Sequence, residues 1–121
     1  MADVLIKRIY EEPSPTDGAR VLVDRLWPRG VSKERADLTL WDKEVAPSTE
    51  LRQWYGHDPA KFQAFAQKYR GELAEGRQAE GLEALRDLAA KGTLTLLTAS
   101  KALDISEAAV LQQVLQTSTD S

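Results

Sequence analysis

A chain of 121 residues, 42% hydrophobic and 29% charged, has the size and composition of one soluble globular domain. It holds no cysteine and one histidine, which excludes disulfides, thiolate nucleophiles and zinc sites built from Cys or several His. A net charge of -3 argues against a uniformly basic nucleic-acid surface, and no run nears the roughly 18 apolar residues that span a bilayer. The first residues include Asp3 and lack a signal-type apolar run, so a cytoplasmic protein is expected, with no membrane segment.

Val4-Leu5-Ile6, running to Arg8 or Ile9, reads as the first strand. Glu11 to Gly18 carries two prolines and a glycine and reads as a loop. The second strand spans Arg20 to Asp24; its unbroken Val21-Leu22-Val23 suits a strand buried on both faces of a parallel sheet. Ser48 can cap a short helix through Leu51 and Trp54, and Asp58-Pro59 opens a longer one with Phe62, Phe65, Ala66, Tyr69 and Leu73 on one face. Gly76 and Gly81 bracket an expected break before a helix carrying Leu82, Leu85, Leu88 and Ala89. Gly92 ends that helix, and Leu94 to Thr98 forms the third strand. The last helix starts near Asp104 to Glu107, spaced like a capping box, and buries Ala108, Leu111, Leu115 and Val114. Gln116 to Ser121 is small and polar, an expected frayed tail. The order predicts a single α/β domain over residues 1–121: a compact layered fold whose small, mostly parallel sheet is flanked by helices.

Ligands of open α/β sheets bind beyond the carboxyl ends of the strands. Three segments leave those ends: Arg8-Ile9-Tyr10, Asp24 through Gly30, and Ala99-Ser100-Lys101. If the strands are parallel, Arg8, Arg25, Arg29 and Lys101 meet Asp24 and Ser100 at one edge, a cationic set in an acidic chain. Val23 to Gly30 reads VDRLWPRG and supplies Asp24, Arg25, Trp27 and Arg29. Arg25 either binds an anion or pairs with Asp24, Asp37 or Glu44. Trp27, Trp41 and Trp54 suit core packing, while an exposed Trp27 beside Arg29 would suit stacking on a ligand. Neither GxxxxGK[ST] nor GxGxxG occurs, so Gly30 forms no phosphate loop of a known pattern. Ser100-Lys101 resembles a nucleophile and base only as neighbours in sequence, and Lys101 fits better as an anion contact. His57 lies in a helix-linking turn, where local hydrogen bonding competes with an acid–base role. No Asp/Glu cluster has metal-ligand spacing, and the sequence names no cofactor.

These residues carry a resemblance to the DUF488 family, in its short YeaO-like branch of bacterial proteins. VDRLWPRG resembles the family hallmark, and Ala46-Pro47-Ser48 with Leu51-Arg52 and Trp54 resembles its APS-x-x-LR-x-W element. His57-Asp58-Pro59, the aromatic helix to Tyr69 and Glu72-Leu73, and Leu94 to Leu97 are similar as well. Family members often have Ala-Lys-Asp after the last strand and an Asn before the final helix. Here Ala102 follows Lys101, and Glu107 stands at the Asn position. The resemblance implies the compact α/β fold and a site at Asp24–Gly30; the family label assigns no reaction.

Two functions follow as expectations. In the first, Arg25, Arg29 and Lys101 hold a phosphorylated or nucleotide-like anion, Trp27 walls it, Ser100 adds a polar contact, and Asp24 orients a donor or acts as base. In the second, the Arg/Trp loop is a latch or contact surface of a non-catalytic interaction module, and apolar helix faces form a homodimer. Nucleic acid is disfavoured by the acidic composition.

Overall fold

A computed structural model describes residues 3–119, with side chains through Gln116. Four parallel strands form the sheet: β1 (Val4–Arg8), β2 (Ala19–Leu22), β3 (Leu40–Trp41) and β4 (Leu94–Thr98), in the order β1-β4-β2-β3. β4 is central because its five residues LTLLT are buried throughout and pair Leu94 with both Val4 and Ala19. The helices are α1 (Lys33–Ala36), α2 (Thr49–Tyr55), α3 (Phe62–Leu73), α4 (Gly76–Lys91) and α5 (Glu107–Thr119). None of the described helices is long and apolar enough to cross a membrane.

Strand alternation divides the core. Val4, Val21, Val23, Leu94 and Leu96 face Phe65, Tyr69, Leu82, Leu85, Ala108 and Leu111 of α3, α4 and α5. Ile9, Leu22 and Leu97 face the other way, against Val31, Ala36, Trp27 and Trp41. The sheet is therefore covered by packed helices on one side and by a loop with one short helix on the other. Lower on that second side, buried Arg20 donates from Nη1 to Asp17 Oδ2 at 2.5 Å and from Nη2 to the Ala36 carbonyl at 2.9 Å. Burial opposes the Asp17 charge, but hydrogen bonds from Ser14, Lys7 and Arg20 outweigh it and lower its pKa. Gly18 precedes β2 at φ 65°, where an added Cβ would lie 2.1 Å from the Thr93 carbonyl oxygen.

The expected strands, the Ser48 cap and the Asp58-Pro59 helix start are present, the last with a 3₁₀ first turn at Pro59–Lys61. Several details differ. The sheet gains β3, whose two residues are too few to leave a periodic signal. Regular pairing of β2 ends at Leu22, although Val23 N still donates to Leu97 O at 3.0 Å. The expected break at Gly76–Gly81 is helix: α4 begins at Gly76, and Gly81 lies inside it where Cβ would be 2.8 Å from Asp42 Oδ1. That glycine admits a neighbouring chain rather than stopping the helix. Ser106, not Asp104, serves the start of α5, accepting from Ala109 N at 3.4 Å. α5 runs to Thr119, and Asp120 and Ser121 of the expected tail lie outside the described residues.

Asp42 is buried against α4, its Oδ2 has no hydrogen-bond partner, and burial pushes its pKa up to about 6. The folded value lies above the unfolded one, so ionisation opposes folding. Stability present below about pH 4 is lost as the pH rises through about 6. Asp42→Asn keeps an acceptor for the Val45 N–H and removes the charge. Two pKa units correspond to about 3 kcal/mol, and a buried unpaired amide cancels about 1–2 kcal/mol of that. Urea unfolding is therefore expected to show Asp42→Asn more stable than wild type by about 1–2 kcal/mol at pH 8, with the order reversing by pH 4, where Asp42 is neutral and the amide cost remains. Parallel stability–pH curves would contradict this account of Asp42.

Candidate functional site

Parallel pairing brings the carboxyl ends of β2 and β4 side by side, and Asp24 joins them. Its Oδ2 accepts from the Ala99 N–H at 2.8 Å, and its Oδ1 accepts from the Thr98 hydroxyl at 2.7 Å. Its carbonyl takes the Trp41 indole N–H at 2.7 Å, fixing the end of β3 as well. Thr98 Oγ1 also accepts from Ser100 N at 3.2 Å and lies 3.0 Å from Glu107 Oε1 at the start of α5. Burial, then the hydrogen bond and charge of Asp24, push the Glu107 carboxyl well above the usual carboxylate range, against the opposing pull of its own backbone N–H and Thr98.

Above this floor opens a cavity of about 480 Å³. Leu26, Trp27, Pro28, Pro47, Tyr55 and Phe65 supply apolar wall, and Arg25, Arg52, Gln53, His57 and Ser100 supply polar lining. The walls are braced from behind. Trp27 donates its indole N–H to Val31 O at 2.6 Å and meets Trp41 edge to face at 5.3 Å. Tyr55 stacks on Phe65 at 4.2 Å and donates its hydroxyl to Ile105 O at 2.7 Å. The segment Val45–Ser48 is held by four side chains. Tyr69 donates to Val45 O, while Arg25 Nη2 and Gln78 Nε2 donate to Ala46 O at 3.0 and 3.1 Å. Glu72 accepts from Ser48 N and Oγ at 2.9 and 2.5 Å.

Of the residues singled out in the sequence, Asp24, Arg25, Trp27 and Ser100 line this cavity together. Arg29 and Lys101 are exposed and stand outside its lining. The expected cationic edge of Arg8, Arg25, Arg29 and Lys101 is therefore not assembled. β1 lies across β4 from β2, where Arg8 packs over the Tyr10 ring at 5.1 Å, and Tyr10 Oη donates to Arg29 O at 3.3 Å. Arg25 satisfies Nη2 on backbone carbonyls rather than on Asp24, Asp37 or Glu44. Trp54 is 40% exposed, with Lys61 and Lys68 over its ring at 5.1 and 5.2 Å, so it belongs to neither core nor cavity. His57, at φ 57° after the α2 cap, lines the rim with its ring 5.9 Å from Tyr55.

Arg52, Tyr55, Thr98 and Glu107 were not singled out as site residues from sequence. Arg52 and Tyr55 lie three apart on α2, hence on one helix face once Ser48 fixes where that helix starts. In the sequence Glu107 stands out as an acid where relatives have Asn and as part of a capping-box spacing with Asp104, not as a lining residue. Among the described residues, no group of three His, Asp or Glu side chains is arranged to hold a metal.

A four-stranded parallel sheet with a lined cavity at its carboxyl edge defines a small α/β domain whose site position obeys the general rule for such sheets. The chain belongs to the DUF488 family: the family model described as the inactive DUF488-N3 subclade matches residues 3–121. It is 45% identical over 112 residues to the uncharacterised protein Rv3073c of Mycobacterium tuberculosis, covering 93% of this chain and 92% of that one. It is 42% identical over 114 residues to the uncharacterised protein YeaO of Escherichia coli, covering 94% and 97%. No solved structure matches significantly.

The Asp24 clamp predicts a graded mutational response. Asp24→Ala removes two hydrogen bonds to a charged acceptor and is expected to cost about 3 kcal/mol. Asp24→Asn keeps one acceptor and can donate to Thr98 Oγ1, so its cost is expected to be less than half as large. Chemical denaturation of both variants checks the order, and an Asp24→Ala variant within about 0.5 kcal/mol of wild type would contradict the clamp.

Proposed function

We propose that this is a cytoplasmic protein that binds a small anion with a flat apolar body, of the phosphorylated or nucleotide-like kind, without transforming it. The observation that carries this reading is the cavity lining: two guanidinium groups, Arg25 and Arg52, beside walls of Trp27, Pro28, Pro47, Tyr55 and Phe65. Its volume of about 480 Å³ suits a small molecule. Anchoring Arg25 Nη2 on Ala46 O holds that guanidinium in place before a ligand arrives, which reduces the entropy lost on binding.

Binding without chemistry is supported by how the reactive groups are used. Both Asp24 oxygens are already engaged by protein donors, Thr98 and Ala99, in place of a ligand. Lys101 stands outside the lining, so Ser100 has no lysine partner there. The description of the subclade as inactive agrees with this reading.

Adenosine monophosphate and ribose 5-phosphate, titrated by calorimetry at low salt, test it. At least one is expected to bind, and Arg52→Ala is expected to weaken it at least tenfold, roughly the loss of one charged hydrogen bond. Arg52 is exposed, so its melting temperature should not move. No binding of either compound, or equal affinity in Arg52→Ala, would overturn the assignment.

A second reading is favoured by Leu26, 67% exposed on the Arg/Trp loop at the same cavity. There the loop contacts a second copy of the chain. Sedimentation then gives a dimer that Leu26→Asp converts to monomer, whereas a wild-type monomer at tens of micromolar refutes it.

A further inference from the structure

The hydroxyl of Thr98 has one hydrogen, yet its oxygen lies 2.7 Å from Asp24 Oδ1 and 3.0 Å from Glu107 Oε1. It also accepts from Ser100 N at 3.2 Å. If both carboxyls were ionised, one of these short oxygen–oxygen contacts would set lone pair against lone pair. One further proton therefore belongs to the group. Asp24 receives the Ala99 N–H and the Thr98 hydroxyl, so both of its oxygens already serve as acceptors. Among the described residues, no Lys or Arg forms an ion pair with Glu107. The proton accordingly sits on Glu107, which faces both Asp24 and Thr98 as acceptors, while the Thr98 hydroxyl donates to Asp24.

We propose that Glu107 stands in the cavity as a neutral carboxylic acid and that its proton sets the cavity's preference for anions. This rests on the anion reading above and adds the residue that determines it. With Glu107 neutral, the lining carries the Arg25 and Arg52 cations against one carboxylate, Asp24. Once that proton is lost to solvent, two carboxylates oppose two guanidinium groups and an anion gains no net attraction. The groups around Glu107 are known from each side. Asp24 faces it from the end of β2, Tyr55 from α2 and Tyr69 from α3, and Arg25, Arg52 and His57 share the lining. His57 is the one imidazole among the groups that share this lining, so its removal leaves Glu107 as the variable. It sits at positive φ, a conformation that Asn tolerates, so His57→Asn removes the imidazole with little backbone strain.

Two measurements on the full chain test the proposal. The first is infrared difference spectroscopy of ligand-free protein. In an Asp42→Asn background, which removes the other carboxyl with a raised pKa, a protonated-carboxyl C=O band is expected at pH 7, absent once Glu107→Gln is added and lost at alkaline pH. No band at pH 7 in that background, or a band that persists once Glu107→Gln is added, overturns the proposal whether or not any ligand binds. The second is adenosine monophosphate affinity in a His57→Asn background, followed across the alkaline range over which the infrared band is lost. With Glu107 present, affinity is expected to fall about tenfold or more as the band disappears. With Glu107→Gln, whose amide is neutral and can still donate to Thr98, it is expected to stay within about twofold. Equal pH dependence in the two proteins overturns the role of the proton. If the band behaves as expected but adenosine monophosphate binds neither protein, the anion reading fails and takes the ligand role of Glu107 with it. That failure differs from an ionised Glu107.

Discussion

A parallel sheet ends in strands with no hairpin to tie them, so the geometry of its carboxyl edge depends on side-chain bonds. Here the dependence falls on Asp24. One carboxylate receives the Ala99 amide and the Thr98 hydroxyl from β4, and its own carbonyl receives the Trp41 indole from β3. Three adjacent strands are thereby fixed at the level where the cavity begins. Acceptance of two donors by an ionised group is strong enough to outweigh several exposed ion pairs. Remove it and the Arg/Trp loop loses its origin, the Thr98 hydroxyl loses its direction, and α5 loses the contact that orients Glu107.

From that point the rest of the site is built by backbone carbonyls rather than by charge pairs. Arg25 and Gln78 converge on Ala46 O, Tyr69 on Val45 O, Trp27 on Val31 O and Tyr55 on Ile105 O. Each long side chain spends its polar tip on a loop that has no secondary structure of its own. The consequence is a cavity whose wall and floor are already hydrogen-bonded, while Arg52, Gln53 and His57 at the rim remain exposed. Such a division suits a receptor: rigid where shape is read, open where charge is met.

Much of this was legible in the chain, for physical reasons. The unbroken apolar run Val21–Val23 and the nearly continuous Leu94–Leu97 announce buried strands, and Ser48 and Asp58-Pro59 announce helix starts. Strand direction alone brings Asp24, Arg25, Trp27 and Ser100 to one edge, and all four line the cavity. What failed depended on distance across the sheet. The order β1-β4-β2-β3 removes Arg8 from the cavity, and nothing in the sequence fixes that order. Arg29 and Lys101 sit beside residues that do line the cavity, but neighbours in a loop point apart. Gly81 resembled a stop because its real cause, the approach of Asp42 and Val45, comes from a distant segment. Glu107 drew notice as a departure from the family pattern, yet its meaning required Thr98 and Asp24 beside it.

The central claim is that the carboxyl edge above Asp24 is where this protein meets a ligand. Amide and indole NMR shift mapping with adenosine monophosphate tests it most directly, since it reports location without any substitution. The account predicts concentration-dependent shifts at the Trp27 indole and the Ser100, Gln53 and His57 amides, with β1 and the outer face of α4 unmoved. Shifts confined to Lys7, Arg35 or the Lys61–Lys68 face of Trp54, or no shifts at millimolar ligand, would contradict it.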